Sequence, residues 1–102
     1  MPNAVIAHKG SADAHLGKYD IAAQHFRELI GRDADFEQTR EAKGELSRVP
    51  LHTNEYKYTL ACILQAAGKN EEAITLFHEV LTNDIGLYMA HVRLATIYEA
   101  AK

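Results

Sequence analysis

The sequence contains a single cysteine, two prolines and no tryptophan. One cysteine, Cys62, cannot form an internal disulfide, so nothing indicates an oxidising compartment and a cytosolic location is the default expectation. The chain also lacks an apolar run near the roughly 20 residues that a membrane-spanning helix needs. Its first ten residues lack the apolar stretch of a signal peptide. We therefore expect no direct membrane insertion.

The chain also lacks a large excess of positive or negative charge. The 102 residues carry 11 Lys and Arg against 14 Asp and Glu, for a formal net charge of −3, and the two signs are mixed along the chain. This balance offers no electrostatic attraction to nucleic acid. Length and a 47% hydrophobic content are enough for one domain with a modest core.

What the chain does contain is an internal repeat. At an offset of 51 residues the identical positions of the first copy are Gly17, Lys18, Ala22, Phe26, Glu28 and Asp33. Their counterparts in the second copy are Gly68, Lys69, Ala73, Phe77, Glu79 and Asp84. A second register, at an offset of 34, relates Leu60, Ala61, Ile63, Ala66 and Ala67 to Leu94, Ala95, Ile97, Ala100 and Ala101. Two registers in so short a chain indicate a repeat architecture.

The repeated positions have helical spacing. In residues 71–83 the apolar side chains recur at steps of three and four, which is typical of an amphipathic helix. A second stripe lies upstream of Gly68, and Gly68 and Lys69 form the break between the two. Helices joined by so short a break fold back antiparallel. The sequence therefore predicts an all-α fold of helical hairpins, with the small residues Ala61 and Ala73 where the backbones approach.

A 34-residue period, a small residue in the first helix, Gly at the turn, then Ala and an aromatic in the second helix together resemble the tetratricopeptide repeat (TPR). The signature positions are occupied by Leu60, Ala61, Leu64, Gly68, Ala73, Phe77 and Val80. The sequence departs from the family where an early aromatic is usual (Ile6, Lys57, His91) and where a proline often ends the repeat (Ala34, Ile85). The resemblance implies a right-handed α-solenoid of antiparallel hairpins with about six helices.

The repeat has an irregular phase. Residues 3–36 form one full repeat, residues 54–87 form another, and residues 88–102 form an unpaired terminal helix. Between them, residues 37–53 are predicted to begin a new first helix at Glu37 that Pro50 stops, giving a half-repeat. A linker without regular structure is the alternative for this segment.

The resemblance implies that a partner binds in the concave groove lined by the first helices. The groove residues carried over are Ala4, Ala7, Ser11, Ala14, His15, Glu55, Tyr58, Cys62, Gln65, Ala66, Met89, Val92, Arg93, Thr96, Glu99 and Ala100. This set predicts a mildly apolar, slightly acidic groove with Tyr58, Met89 and Val92 as anchors. The alternative is that these side chains only pack against neighbouring helices. One branch of the family clamps a chaperone carboxylate, but only Arg93 fits that pattern.

No pattern of catalytic residues is present. The two closest of the six histidines, His8 and His15, are about 10 Å apart on a helix, too far to share a metal ion. Cys62 has no His or Arg within four positions to activate it. We therefore expect no enzyme activity, no metal and no cofactor.

Two functions remain open. The first is a non-enzymatic adaptor that binds a peptide or helix of a partner protein in the groove. The second is a structural subunit of a homo-oligomer or larger complex, held through its terminal helix. That helix is apolar around most of its circumference, which predicts that Leu94 and Tyr98, or residues beside them, are covered by another chain, or that the chain is part of a longer repeat array.

Overall fold

A computed structural model describes residues 3–42 and 53–100, with side chains for 3–36 and 53–100. These residues form five α-helices and, within the described ranges, no strand. The helices are α1 (Asn3–His15), α2 (Tyr19–Ala42), α3 (Thr53–Ala66), α4 (Asn70–Asn83) and α5 (Tyr88–Ala100). Each helix packs against the next one in the chain, and α5 also contacts α3. The predicted all-α class is confirmed.

The turns of the two hairpins are built alike. Gly17 and Gly68 have φ angles of +78° and +82°, a region that glycine enters without the steric penalty of a Cβ. Both turns close with the paired bonds of a Schellman motif. These bonds are Lys18 N to Asp13 O (2.8 Å), Gly17 N to Ala14 O (3.1 Å), Lys69 N to Leu64 O (2.9 Å) and Gly68 N to Gln65 O (3.1 Å). The 51-residue register therefore extends to individual backbone hydrogen bonds.

The core lies between the helices of each hairpin and continues from one hairpin to the other. Its largest fully buried side chains are Phe77, Ile6, Leu29, Leu64 and Val80. Ala61 and Ala73 are both fully buried. Gly10 is packed still more closely, because a Cβ there would come within 2.7 Å of the Phe26 ring. Small residues in the first helices thus leave room for the aromatic of the second.

The start of a new helix at Glu37 is a wrong prediction. Helix α2 continues through that position to Ala42, because neither glycine nor proline interrupts the chain between Gly31 and Gly44. At the 51-residue offset, the last residue of α4, Asn83, corresponds to Arg32, so α2 runs on past the end of its counterpart. The rest of the predicted half-repeat, residues 43–52, lies outside the described residues.

The extension of α2 begins at a buried carboxylate. Asp33 is only 5% exposed, and its Oδ2 accepts a hydrogen bond of 2.9 Å from the Thr53 hydroxyl. Thr53 is the first residue of α3, so this bond ties the start of α3 to α2. Burial raises the pKa of the nearby Tyr56 hydroxyl, and the charge of Asp33 raises it further.

Candidate functional site

The first helices of the hairpins border a cavity of about 350 Å³. Helices α1, α3 and α5 supply all but one of its lining residues, and Tyr19 from the start of α2 supplies the remaining one. The lining consists of Ser11, Ala14, His15, Tyr19, Thr59, Cys62, Ile63, Ala66 and Arg93. One cavity therefore collects residues that are distant in the sequence.

The lining is partly apolar, and the described residues that form it include no carboxylate. Arg93 and His15 supply nitrogen atoms, and Ser11 and Thr59 supply hydroxyls. The Thr59 hydroxyl donates to the Glu55 carbonyl oxygen at 3.0 Å, which leaves its oxygen free to accept a hydrogen bond. The acidic residues of the predicted groove, Glu55 and Glu99, lie outside this lining.

Arg93 belongs to a polar cluster with two residues of α3. Burial raises the pKa of both the Tyr58 hydroxyl and the Cys62 thiol, and the nearby positive charge of Arg93 opposes both increases. The Tyr58 ring packs edge-on against the buried Phe77 ring, with centroids 5.8 Å apart. Tyr58 therefore lies between the core and Arg93 at the cavity wall.

The cluster does not make Cys62 a nucleophile. Burial raises the pKa of its thiol, and this outweighs the opposing effects of the Arg93 charge and the Tyr58 hydrogen bond. The thiol is therefore mostly protonated at neutral pH. The sequence neighbours of Cys62 offered no sign of Arg93, because Arg93 lies on α5, two helices further along the chain.

The predicted groove residues divide between the cavity and its surroundings. The predicted residues that line the cavity are Ser11, Ala14, His15, Cys62, Ala66 and Arg93. Ala7 instead packs against the core. The predicted residues that lie outside the lining and are exposed are Ala4, Glu55, Met89, Thr96, Glu99 and Ala100, and those that are half-buried are Tyr58, Gln65 and Val92.

Three lining residues were missing from the predicted set. Thr59 and Ile63 lie on the predicted helix, beside Cys62, and a slightly wider stripe would have included them. Tyr19 carries no such signal, since it follows the turn and belongs to a second helix. Gln65 also stands out, because its buried Oε1 has no hydrogen-bond partner within the part of the chain that the structure describes.

The terminal helix divides into a buried and an exposed face. Ala90, Leu94 and Ile97 face the core, and Leu94 is only 6% exposed. Leu94 is therefore covered within the chain itself, contrary to the prediction, since it belongs to the core cluster. Tyr98 is 49% exposed, and its hydroxyl lies 3.3 Å from His78 Nε2. Tyr88 is 73% exposed.

Other kinds of site find no support in the described residues. No group of three or more His, Cys, Asp and Glu within 3–36 and 53–100 is placed to hold a metal ion. None of the five described helices combines the length and apolarity required to cross a membrane. Comparison with protein families, curated proteins and solved structures gives no match for this chain.

Proposed function

We propose that this chain is a TPR-like right-handed α-solenoid and a non-enzymatic interaction module. In this proposal a peptide or helix of a partner protein binds in the groove formed by α1, α3 and α5. The observation that carries the proposal is the convergence of these three helices on one cavity. The repeated Schellman turns support the repeat register on which the groove depends.

The composition of the cavity restricts the partner segment. With Arg93 and His15 in the lining and no carboxylate among its described residues, a Lys or Arg side chain would lose its hydration without gaining an ion pair from them. An uncharged or acidic side chain has hydrogen-bond donors available to it. We therefore expect bound segments to place an acidic or uncharged residue in the cavity.

This function can be tested with peptides that are selected for binding to the chain, even before the natural partner is known. They would be selected from a random display library on the wild-type chain, and their affinities measured by fluorescence anisotropy. Ala66→Glu places a bulky charge in the cavity lining, and we expect it to weaken binding about tenfold or more. The matched control is Ala12→Glu, on an exposed position of α1 outside the lining.

The opposite outcome is equally informative. Equal affinity of the selected peptides for wild type and Ala66→Glu would place recognition on another face. Enrichment of Lys or Arg among the selected peptides would contradict the expected chemistry. Tyr58→Phe is preferred to Tyr58→Ala as a second variant, because truncating the ring would also disturb Phe77.

A second function is favoured by the outward face of α5. Tyr88, Met89 and Tyr98 are each at least 46% exposed on one short helix. Exposed aromatic and methionine side chains are enriched at protein-interaction surfaces. The chain would then be a structural subunit of an assembly, held through α5.

A further inference from the structure

A second cavity, of about 380 Å³, adjoins the one described above. Its lining consists of Gly17, Tyr19, Asp20, Ala66, Ala67 and Lys69. Tyr19 and Ala66 line both cavities, so the two meet at these side chains. The other lining residues come from the turns of the two hairpins and from the start of α2. Together the cavities form a slot that runs from Arg93 to the two turns.

The two ends of this slot differ in charge. At the turns, Lys69 Nζ lies 3.5 Å from Asp20 Oδ1, so one cation and one anion offset each other. At the other end, the first cavity holds Arg93 and, among its described residues, no carboxylate. The slot therefore has one cationic end and one electrically balanced end.

Tyr19 lies where the two cavities meet. Its side chain is half-buried and packs against the core. Its hydroxyl forms no hydrogen bond with any residue that the structure describes. Tyrosine is enriched at interfaces because it combines an apolar ring with a hydroxyl that can bond to a partner. A segment that crosses from one cavity to the other passes this hydroxyl.

The size of the slot favours an extended segment over a helix. One turn of an α-helix, about 10 Å across and about 5.4 Å long, fills roughly 420 Å³, which is more than either cavity holds. In an extended chain every second side chain points to the same side, so one strand can place side chains in both cavities. From Thr59 to Ala66, α3 rises roughly 10 Å, which about three extended residues cover. A segment that also enters the second cavity needs about five residues.

We propose that the binding site continues past Tyr19 and Ala66 into the second cavity and takes an extended segment of about five residues of the partner protein. An acidic or uncharged side chain occupies the first cavity. A polar uncharged side chain occupies the second, where Lys69 and Asp20 already pair. This inference rests on the groove function proposed above, and it specifies an extended peptide rather than a helix as the bound form.

Amide chemical shifts of the full chain, followed by NMR while a library-selected peptide is added, test the second cavity without any substitution. We expect the amides of Ala67 and Lys69 to shift together with those of Thr59 and Cys62, with one common dissociation constant. Shifts confined to the first cavity would overturn the proposal while leaving the groove function intact. Failure to select any binding peptide would contradict the groove function itself.

A substitution in the second cavity gives an independent measurement. Ala67 lines that cavity and not the first, so Ala67→Glu should weaken binding of the selected peptides about tenfold or more. Ala12→Glu, at an exposed position outside both linings, is the matched control. Circular dichroism checks that helix content is retained. Wild-type affinity in a folded Ala67→Glu variant would overturn the proposal.

The length of the bound segment tests its conformation. A five-residue core of a selected peptide should keep its affinity within about threefold, and trimming it to three residues should cost about tenfold or more. A helix would need roughly ten residues to span about 15 Å. A peptide that requires this length, and that gains helical circular dichroism on binding, would overturn the extended form.

Discussion

The first hairpin, α1 and α2, and the second hairpin, α3 and α4, use the same residues at their turns and crossings but end differently. Ala22 and Ala73 are both fully buried, and Phe26 and Phe77 fill the equivalent space beside them. Where the second helix of each hairpin ends, the likeness stops. Helix α4 ends at Asn83, whereas α2 continues ten residues beyond the equivalent position, Arg32.

The divergence is clearest at one pair of identical residues. Asp33 lies within α2, is buried and accepts from the Thr53 hydroxyl. Its counterpart Asp84 follows α4 and is exposed, and its Oδ1 accepts from the Gly86 backbone N–H at 3.1 Å. One aspartate therefore joins two helices and the other stabilises a local turn. The two aspartates are equivalent in the repeat, but their environments differ because α2 continues past Asp33 whereas α4 ends before Asp84.

The largest expected effect concerns the shared aromatic. Phe77→Ala removes a fully buried ring, and we expect it to lower the free energy of unfolding by about 3–5 kcal/mol. Phe26→Ala should cost a similar amount, since the two rings hold equivalent positions. Urea denaturation followed by circular dichroism measures both, with Leu16→Ala, at a 70% exposed position, as the control. A small effect in only one hairpin would break the equivalence.

The next effect sharpens the difference between the aspartates. Asp33→Ala leaves the Thr53 hydroxyl without its buried acceptor, and we expect a loss of about 1.5–3 kcal/mol. Asp84→Ala removes only an exposed turn contact and should cost under about 1 kcal/mol. The same denaturation experiment compares them. Equal losses would contradict the buried role of Asp33.

A smaller effect distinguishes two glycines of the first hairpin. Gly10→Ala drives a Cβ toward the Phe26 ring, and after allowing for the better helix propensity of Ala we expect a net loss of about 1–2 kcal/mol. Gly31→Ala meets no atom within 4 Å and should instead stabilise α2 by about 0.5–1 kcal/mol. Thermal melts of both variants check the opposite signs. A stabilised Gly10→Ala variant would show that the contact is looser than described.

The smallest effect tests the contact between hairpins. Arg27 Nη2 lies 3.4 Å from Glu72 Oε2, and both side chains are at least half exposed. Solvent and salt weaken such a pair, so a double-mutant cycle of Arg27→Ala and Glu72→Ala should give a coupling of under about 1 kcal/mol. A larger coupling would indicate that surface charges, rather than the shared core, hold the hairpins together.

Much of the fold follows from sequence pattern, and the failures have identifiable causes. The repeat predicted the hairpins, their turns and the burial of Ala61 and Ala73. It misplaced a helix start at Glu37, because the repeat phase was given more weight than the absence of a helix breaker. It predicted that another chain covers Leu94, whereas Leu94 is buried within the chain itself. Helical periodicity indicates that a face is apolar but not which neighbour packs on it. That the chain is a solenoid and binds a partner stays a prediction.

The candidate site was less predictable than the fold. A carried-over set of groove positions included Ser11, His15, Cys62 and Arg93, and it missed Tyr19. It also included Met89 and Glu99, which lie outside the cavity lining. Lining a cavity depends on the angle at which helices cross, and that angle is set by the packing of all their side chains together.

By itself, the sequence determined the helices and turns of both hairpins. Periodicity and a glycine at positive φ act over a few residues, so the local chain contains the information. Only the tertiary structure decided that Asp33 is buried while Asp84 is exposed, that Arg93 meets Tyr58 and Cys62, and that α5 is left with a bare face. Each of these depends on contacts between residues far apart in the chain, and their geometry follows from how whole helices pack.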